Sequence, residues 1–151
     1  MNPQFPYSYR FLDPAFNRLP DGALNDIVEL RSSRCECLWS KFVNAEYRHL
    51  SKIPRSDLSM PRQHLSVRWK EEGNRPLATT PELDAALAPN LLTVHLWGPR
   101  FGVRCHLRTF RRYWSDFWYP SDENTVLLVP RVRIRIEHIE EQVYFSRIAT
   151  P

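Results

Sequence analysis

Apolar residues change their spacing along this chain, from irregular and helical in the first half to alternating in the second. Phe5, Tyr7, Tyr9 and Phe11 recur at every second position, the period of one face of a strand or extended arm. Pro3, Pro6, Pro14 and Pro20 keep that stretch out of a central ladder, so residues 1–20 are expected as an aromatic, proline-rich arm or an edge strand. Leu24, Ile27, Val28 and Arg31 then predict a short helix over Gly22–Arg31 with Asp21 as its N-cap. Ser33 and Glu36 have the spacing of a capping box, and Cys35, Leu38, Trp39, Phe42 and Glu46 mark one helical face running toward His49. Residues 54–80 lack periodicity apart from a short element at Ser66–Lys70, and Thr80-Pro81 predicts a helix to Ala88.

From Leu92 the pattern becomes β. Leu92, Val94 and Leu96 alternate with polar or aromatic neighbours, as do Val103, Cys105 and Leu107, around the turn signal Gly98–Gly102. Placing both apolar sets on one face predicts Leu96 opposite Cys105 and Val94 opposite Leu107. That register sets His95 against His106 and Trp97 against Arg104 on the outer face. Thr109 is expected to cap a helix carrying Phe110, Tyr113, Trp114 and Phe117, followed by a turn at 119–122. Strands are predicted at Thr125–Val129, Arg131–Glu137 and Gln142–Ile148. The sum is an α+β fold: an antiparallel sheet in the C-terminal half, packed with N-terminal helices and one embedded helix.

A length of 151 residues fits one domain spanning 1–151, able to bury roughly two-thirds of its unfolded surface without staples. Three cysteines suit free thiols in a reducing compartment, and Cys35 and Cys37 point to different sides of their helix, roughly 200° apart. The first residues carry no basic-then-apolar leader and no run of about 18 apolar residues occurs, so a cytoplasmic protein without a membrane partner is expected.

The charge is the unusual part: 18 Arg stand against three Lys, for a net charge of +4. Five Arg and no acid lie between Arg100 and Arg112, and Arg131, Arg133 and Arg135 add a second basic stripe, while Glu137, Glu140 and Glu141 form an acidic corner. Arg with interleaved aromatics suits phosphate contact and base stacking, which makes a nucleic-acid-binding module the alternative reading. No P-loop, nucleophile elbow or metalloprotease pattern is present, so no enzyme template and no cofactor is implied. His95 and His106 are weak metal candidates on the hairpin, and Asp116, Asp122 and Glu123 form a loose carboxylate group.

Two segments, Leu38–Phe42 and Phe110–Asn124, together resemble small single-domain bacterial immunity-type proteins of uncharacterised families. The resemblance implies a non-enzymatic protein-binding module that neutralises a cognate toxin by occlusion, with no cofactor and no catalytic residue. Trp97, Arg100, Phe101 and Arg104 at the hairpin, with Arg108 and Arg112 beside them, are the expected binding set, being aromatic and Arg anchors of the types enriched in interface hot spots.

Overall fold

Alternation from Leu92 onward does produce strands, because branched and aromatic side chains fit a pleated surface. The computed structural model describes residues 2–16, 18–54, 63–65, 87–118, 124–139 and 142–148. The strands are β1 (Val28–Glu29), β2 (Gln63–Leu65), β3 (Leu92–Leu96), β4 (Gly102–His106), β5 (Thr125–Val129), β6 (Ile134–Ile139) and β7 (Gln142–Arg147). They form one antiparallel sheet in the order β1-β4-β3-β5-β6-β7-β2, so β1 and β2 carry the N-terminal half to its two edges. The helices are α1 (Tyr9–Leu12), α2 (Asp21–Asp26), α3 (Ser32–Phe42), α4 (Leu107–Arg112) and α5 (Trp114–Phe117). The fold is α+β, with α4 and α5 embedded between strands. The expected element at 66–70 and the turn at 119–122 fall on residues outside those described, as does the expected helix at 81–88 except for Leu87 and Ala88, which are not helical.

Both faces of the sheet are covered, and this overturns the expected hairpin register. Observed pairs are Leu92–His106, Thr93–Cys105, Val94–Arg104, His95–Val103 and Leu96–Gly102, three residues away from the pairing that puts Leu96 opposite Cys105. An odd slip exchanges the two faces. His95 therefore points into the core, fully buried, and Leu96 faces α3 on the other side. A one-sided sheet was the wrong premise; with both faces packed, alternation does not say which set lies inward. The turn is also tighter: the Trp97 N–H donates to the Phe101 carbonyl at 3.0 Å, and Gly98 adopts φ 137°, a value that glycine tolerates.

On one face the N-terminal arm, α4 and α5 bury Phe5, Phe11, Trp97, Phe110, Trp114, Phe117 and Trp118. The arm is built of turns and the one-turn α1 rather than a strand, and it attaches through aromatics: Tyr7 stacks on Trp97 at 4.6 Å, and Phe11 meets Phe117 edge-on at 5.0 Å. On the other face α3 lays Cys35, Leu38 and Trp39 over Leu96, Val126 and Leu128.

Several element boundaries differ from expectation for local reasons. α2 stops at Asp26 because Ile27 turns extended and Val28 joins β4. α3 starts at Ser32, so Ser33 lies within it instead of capping it, and it ends at Phe42 rather than near His49. The Asn44 carboxamide causes that stop by accepting the N–H groups of Glu46 and Tyr47 at 2.7 and 2.9 Å. One helix from Thr109 becomes two, broken at Tyr113, and β6 begins at Ile134 because Pro130 opens a 3-10 turn and Arg133 is left-handed at φ 56°.

Candidate functional site

The eleven residues of α3 pack one face against the sheet. Cys35, Leu38 and Trp39 are buried, while Arg34, Cys37 and Lys41 lie one row away and are exposed. Beyond that row Leu92, Val94 and Arg104 continue the same sheet face. The result is a groove of about 700 Å³ between α3 and the β3–β4 face. Leu38, Phe42, Leu92 and Val94 supply its apolar floor, and Arg34, Lys41, Arg104, Arg131 and His106 its polar walls. Leu92 is 48% exposed although it sits on a strand with a partner strand beside it. Leu92 is one of four large hydrophobics exposed among the described residues, with Tyr9, Val28 and Phe101, and the one of the four that lines this groove.

The charges around the groove are uncompensated. Two exposed arginines away from it find acids, Arg18 with Asp21 at 2.8 Å and Arg48 with Glu36 at 3.3 Å, while Arg31, Arg100, Arg108 and Arg112 form no ion pair among the described residues. Among the described residues, Arg34, Lys41, Arg104 and Arg131 form no ion pair with a carboxylate, and none of the groove's lining residues is acidic. Lys41 instead lies over the Phe42 ring at 5.3 Å. The groove is thus an apolar strip between basic walls.

His106 closes one end and is held rigidly. Asp26, at the end of α2, accepts the His106 ring N–H at Nδ1 (2.5 Å) and the His106 backbone N–H (3.0 Å). Its other partner is the Thr109 hydroxyl, which donates to it at 2.5 Å. Burial alone would raise the Asp26 carboxyl, but the hydrogen bonds from Thr109 and His106 outweigh it and hold the group below its usual value. Thr109 therefore serves Asp26 from inside α4 rather than capping that helix. The imidazole is left with Nε2 as the nitrogen that Asp26 does not engage.

The six expected binding residues do not form one patch. Trp97 is buried in the aromatic core against Tyr7, not stacked on Arg104. Phe101, 36% exposed at the hairpin tip, has core partners after all: it meets Phe5 and Tyr7 edge-on at 6.4 and 6.0 Å. Arg100 is exposed beside it, Arg108 and Arg112 are exposed on α4, and Arg104 alone of the six lines the groove. The stripe of Arg131, Arg133 and Arg135 also dissolves. Arg131 rims the groove, Arg133 sits in a turn, and Arg135 donates to the Phe42 carbonyl at 3.0 Å and pairs with Glu137 at 3.2 Å. Glu137 is fully buried, not part of an acidic corner.

His95 and His106 lie on opposite faces and cannot share a metal ion. Among the described residues no three His, Cys, Asp or Glu side chains converge as a metal site. His95 packs instead on Trp97 (4.3 Å) and Phe117 (5.6 Å), and neither of its ring nitrogens has a hydrogen-bond partner among the described residues. Burial, then the nearby Arg10 and His138, pushes its pKa well below the usual value. Of the carboxylate group, Asp116 is pushed up to about 6 by burial, while Asp122 and Glu123 lie outside the described residues. The thiols of Cys35 and Cys105 are raised by burial to about 11 and about 12, leaving Cys37 as the exposed thiol. Sequence reasoning missed Arg34, Lys41 and Leu92. The signal available was two cations spaced seven residues apart on α3 with no acid between them on that row. No protein-family model, curated protein or solved structure matches this chain.

Proposed function

We propose that the chain is a protein-binding module that takes an acidic, amphipathic segment of a partner protein into the groove beside α3. The observation that carries this reading is the open Leu92 among four basic side chains that form no ion pair among the described residues. Covering one exposed Leu supplies roughly 1.5–3 kcal/mol. Each rim pair adds about 0.2–1 kcal/mol when solvated and more when water is excluded. Several such contacts acting together are needed for useful affinity, which fits a groove rather than a single tip residue. A floor of Leu38, Leu92 and Val94 with Phe42 as its one aromatic ring also favours a peptide over nucleic acid, whose bases dock by stacking on aromatic faces. The finer reading is an immunity-type antagonist in a bacterial cytoplasm, with a cognate toxin as the partner and occlusion as the mechanism.

The test is selection of peptides from an unbiased display library on the wild-type protein, followed by affinity measurement on Arg104→Glu/Arg131→Glu. The expected binders combine Asp or Glu with apolar residues, weaken with salt and lose at least tenfold affinity on the variant. Binders indifferent to that variant but lost on Arg100→Ala/Phe101→Ala would move the site to the hairpin tip. Tight, salt-sensitive capture of single- or double-stranded oligonucleotides with no peptide selected would replace the reading with nucleic-acid binding.

A further inference from the structure

We propose that the partner segment carries a phosphate monoester, on a phosphorylated serine, threonine or tyrosine, which seats between His106 and Arg104 on β4. This rests on the groove being a protein-binding site and adds the chemical identity of one of the anions it takes.

His106 adds to the groove something that its four cations do not. The Asp26 carboxylate is ionised and only accepts, so its 2.5 Å contact with Nδ1 fixes the ring proton on that nitrogen. The His106 backbone N–H and the Thr109 hydroxyl hold the same carboxylate in place. The neutral imidazole therefore offers Nε2 as a bare acceptor, on a side chain that is 35% exposed and lines the groove.

That acceptor discriminates between anions. A carboxylate or a phosphodiester brings acceptor oxygens alone, which suit Arg104 but leave Nε2 without a donor. A phosphate monoester loses its second proton at a pKa of about 6, so near neutral pH it brings an exchangeable proton together with acceptor oxygens. Its P–O–H donates to Nε2, or passes the proton across to leave an imidazolium facing the dianion. The pair holds one proton in either form, and Asp26 stabilises the imidazolium.

Arg104 is placed for the remaining oxygens. It precedes His106 by two residues on β4, so both side chains leave the same face with backbone origins about 7 Å apart. The guanidinium fork donates two parallel N–H bonds to phosphate. The cross-strand neighbours of the two residues are Leu92 and Val94 on β3 and Val28 on β1, all apolar, so none of these positions supplies a competing acid. Arg34 on α3 lines the same groove and adds to its positive field.

The experiment selects peptides on the full-length protein from a library with phosphoserine at a fixed centre and randomised flanks, then remakes the binders with glutamate and with serine at that centre. The expected result is at least tenfold tighter binding of the phosphoserine form than of the glutamate form. That preference should vanish on His106→Gln and on Arg104→Gln, each confirmed folded by its melting curve. In the labelled wild-type protein the phosphopeptide should move the His106 Nε2 resonance. Equal affinity of the glutamate form, or saturation with Nε2 unmoved, would overturn the phosphate site; loss of those same binders on Leu92→Asp and Arg131→Glu would keep the groove. Inorganic phosphate bound as tightly as the phosphopeptide would assign the site to free phosphate and overturn the partner segment as its source. An empty selection, or binders indifferent to all of these substitutions, would overturn the phosphate site and the groove together.

Discussion

Removing the Asp26 carboxylate is the sharpest perturbation of the architecture that holds the groove's end. In Asp26→Ala the His106 backbone N–H, the His106 ring and the Thr109 hydroxyl each lose their acceptor. A hydrogen bond to a charged group is worth about 1.5–3 kcal/mol. The three bonds share one carboxylate and water can replace part of them, because the Asp26 side chain is 17% exposed. The expected loss is therefore about 2–4 kcal/mol rather than the sum. For a chain of this length each kcal/mol lowers the melting temperature by ~2–4 °C. Asp26→Asn keeps the shape and one acceptor, so it should lose roughly half as much. The pH dependence gives a second handle. The folded carboxyl lies below the unfolded value of about 4, so its contribution is complete above that pH and is lost only as pH falls further. Urea unfolding at pH 5–8 should show a constant gap between wild type and Asp26→Ala that narrows below about pH 4. A variant within about 0.5 kcal/mol of wild type at pH 7, or a gap already closing between pH 7 and 5, would refute the reasoning.

Three further outcomes follow from the core and the groove wall. A Cβ on Gly102 would lie 2.6 Å from Leu96 Cδ2 and 2.7 Å from the His95 carbonyl oxygen, so Gly102→Ala should cost about 1–3 kcal/mol in denaturant unfolding; an unchanged midpoint contradicts the packing. Burial and the adjacent Arg10 push His138 down to about 4, and His95 lies well below its usual value, so both stay neutral in the folded chain. The unfolded chain binds those protons below about pH 6.5, so stability falls as pH drops from there toward 4. Asp116 opposes this between about 6 and 4 because its folded carboxyl takes up a proton first. Asp116→Asn should therefore be more stable than wild type at pH 8 and lose stability more steeply on acidification; parallel profiles would count against it. Iodoacetamide should modify Cys37 in the native protein and leave Cys35 and Cys105 intact, as read by peptide mass spectrometry; equal labelling of all three would contradict the buried placement of the other two.

Much of the fold was legible in the sequence because element type follows local spacing. The α3 periodicity and the Thr125–Val129 run, apolar from Val126 on, both became the elements they predict. The register of β3 and β4 was not legible, since alternation tells which residues share a face but not which face is inward when both are covered. His95, Leu92 and Trp97 exchanged sides for that single reason. The binding set followed the same logic. Phe101 at a turn looks exposed in sequence, yet the arm that covers it arrives from residues 5–7, a contact that no local rule contains. The groove joins residues of α3, β3, β4 and the 3-10 turn at Pro130–Val132, so only the assembled sheet brings its cations together.

The account stands or falls on where a partner segment docks. Methyl and backbone NMR shifts, recorded while a selected acidic amphipathic peptide is titrated into labelled protein, read that location directly. The groove predicts saturable shifts at Leu38, Leu92, Val94, Cys37 and Arg104, with Arg100 and Phe101 unmoved. Shifts confined to Arg100, Phe101 and Arg112, with Leu92 and Val94 unperturbed at saturation, would contradict it.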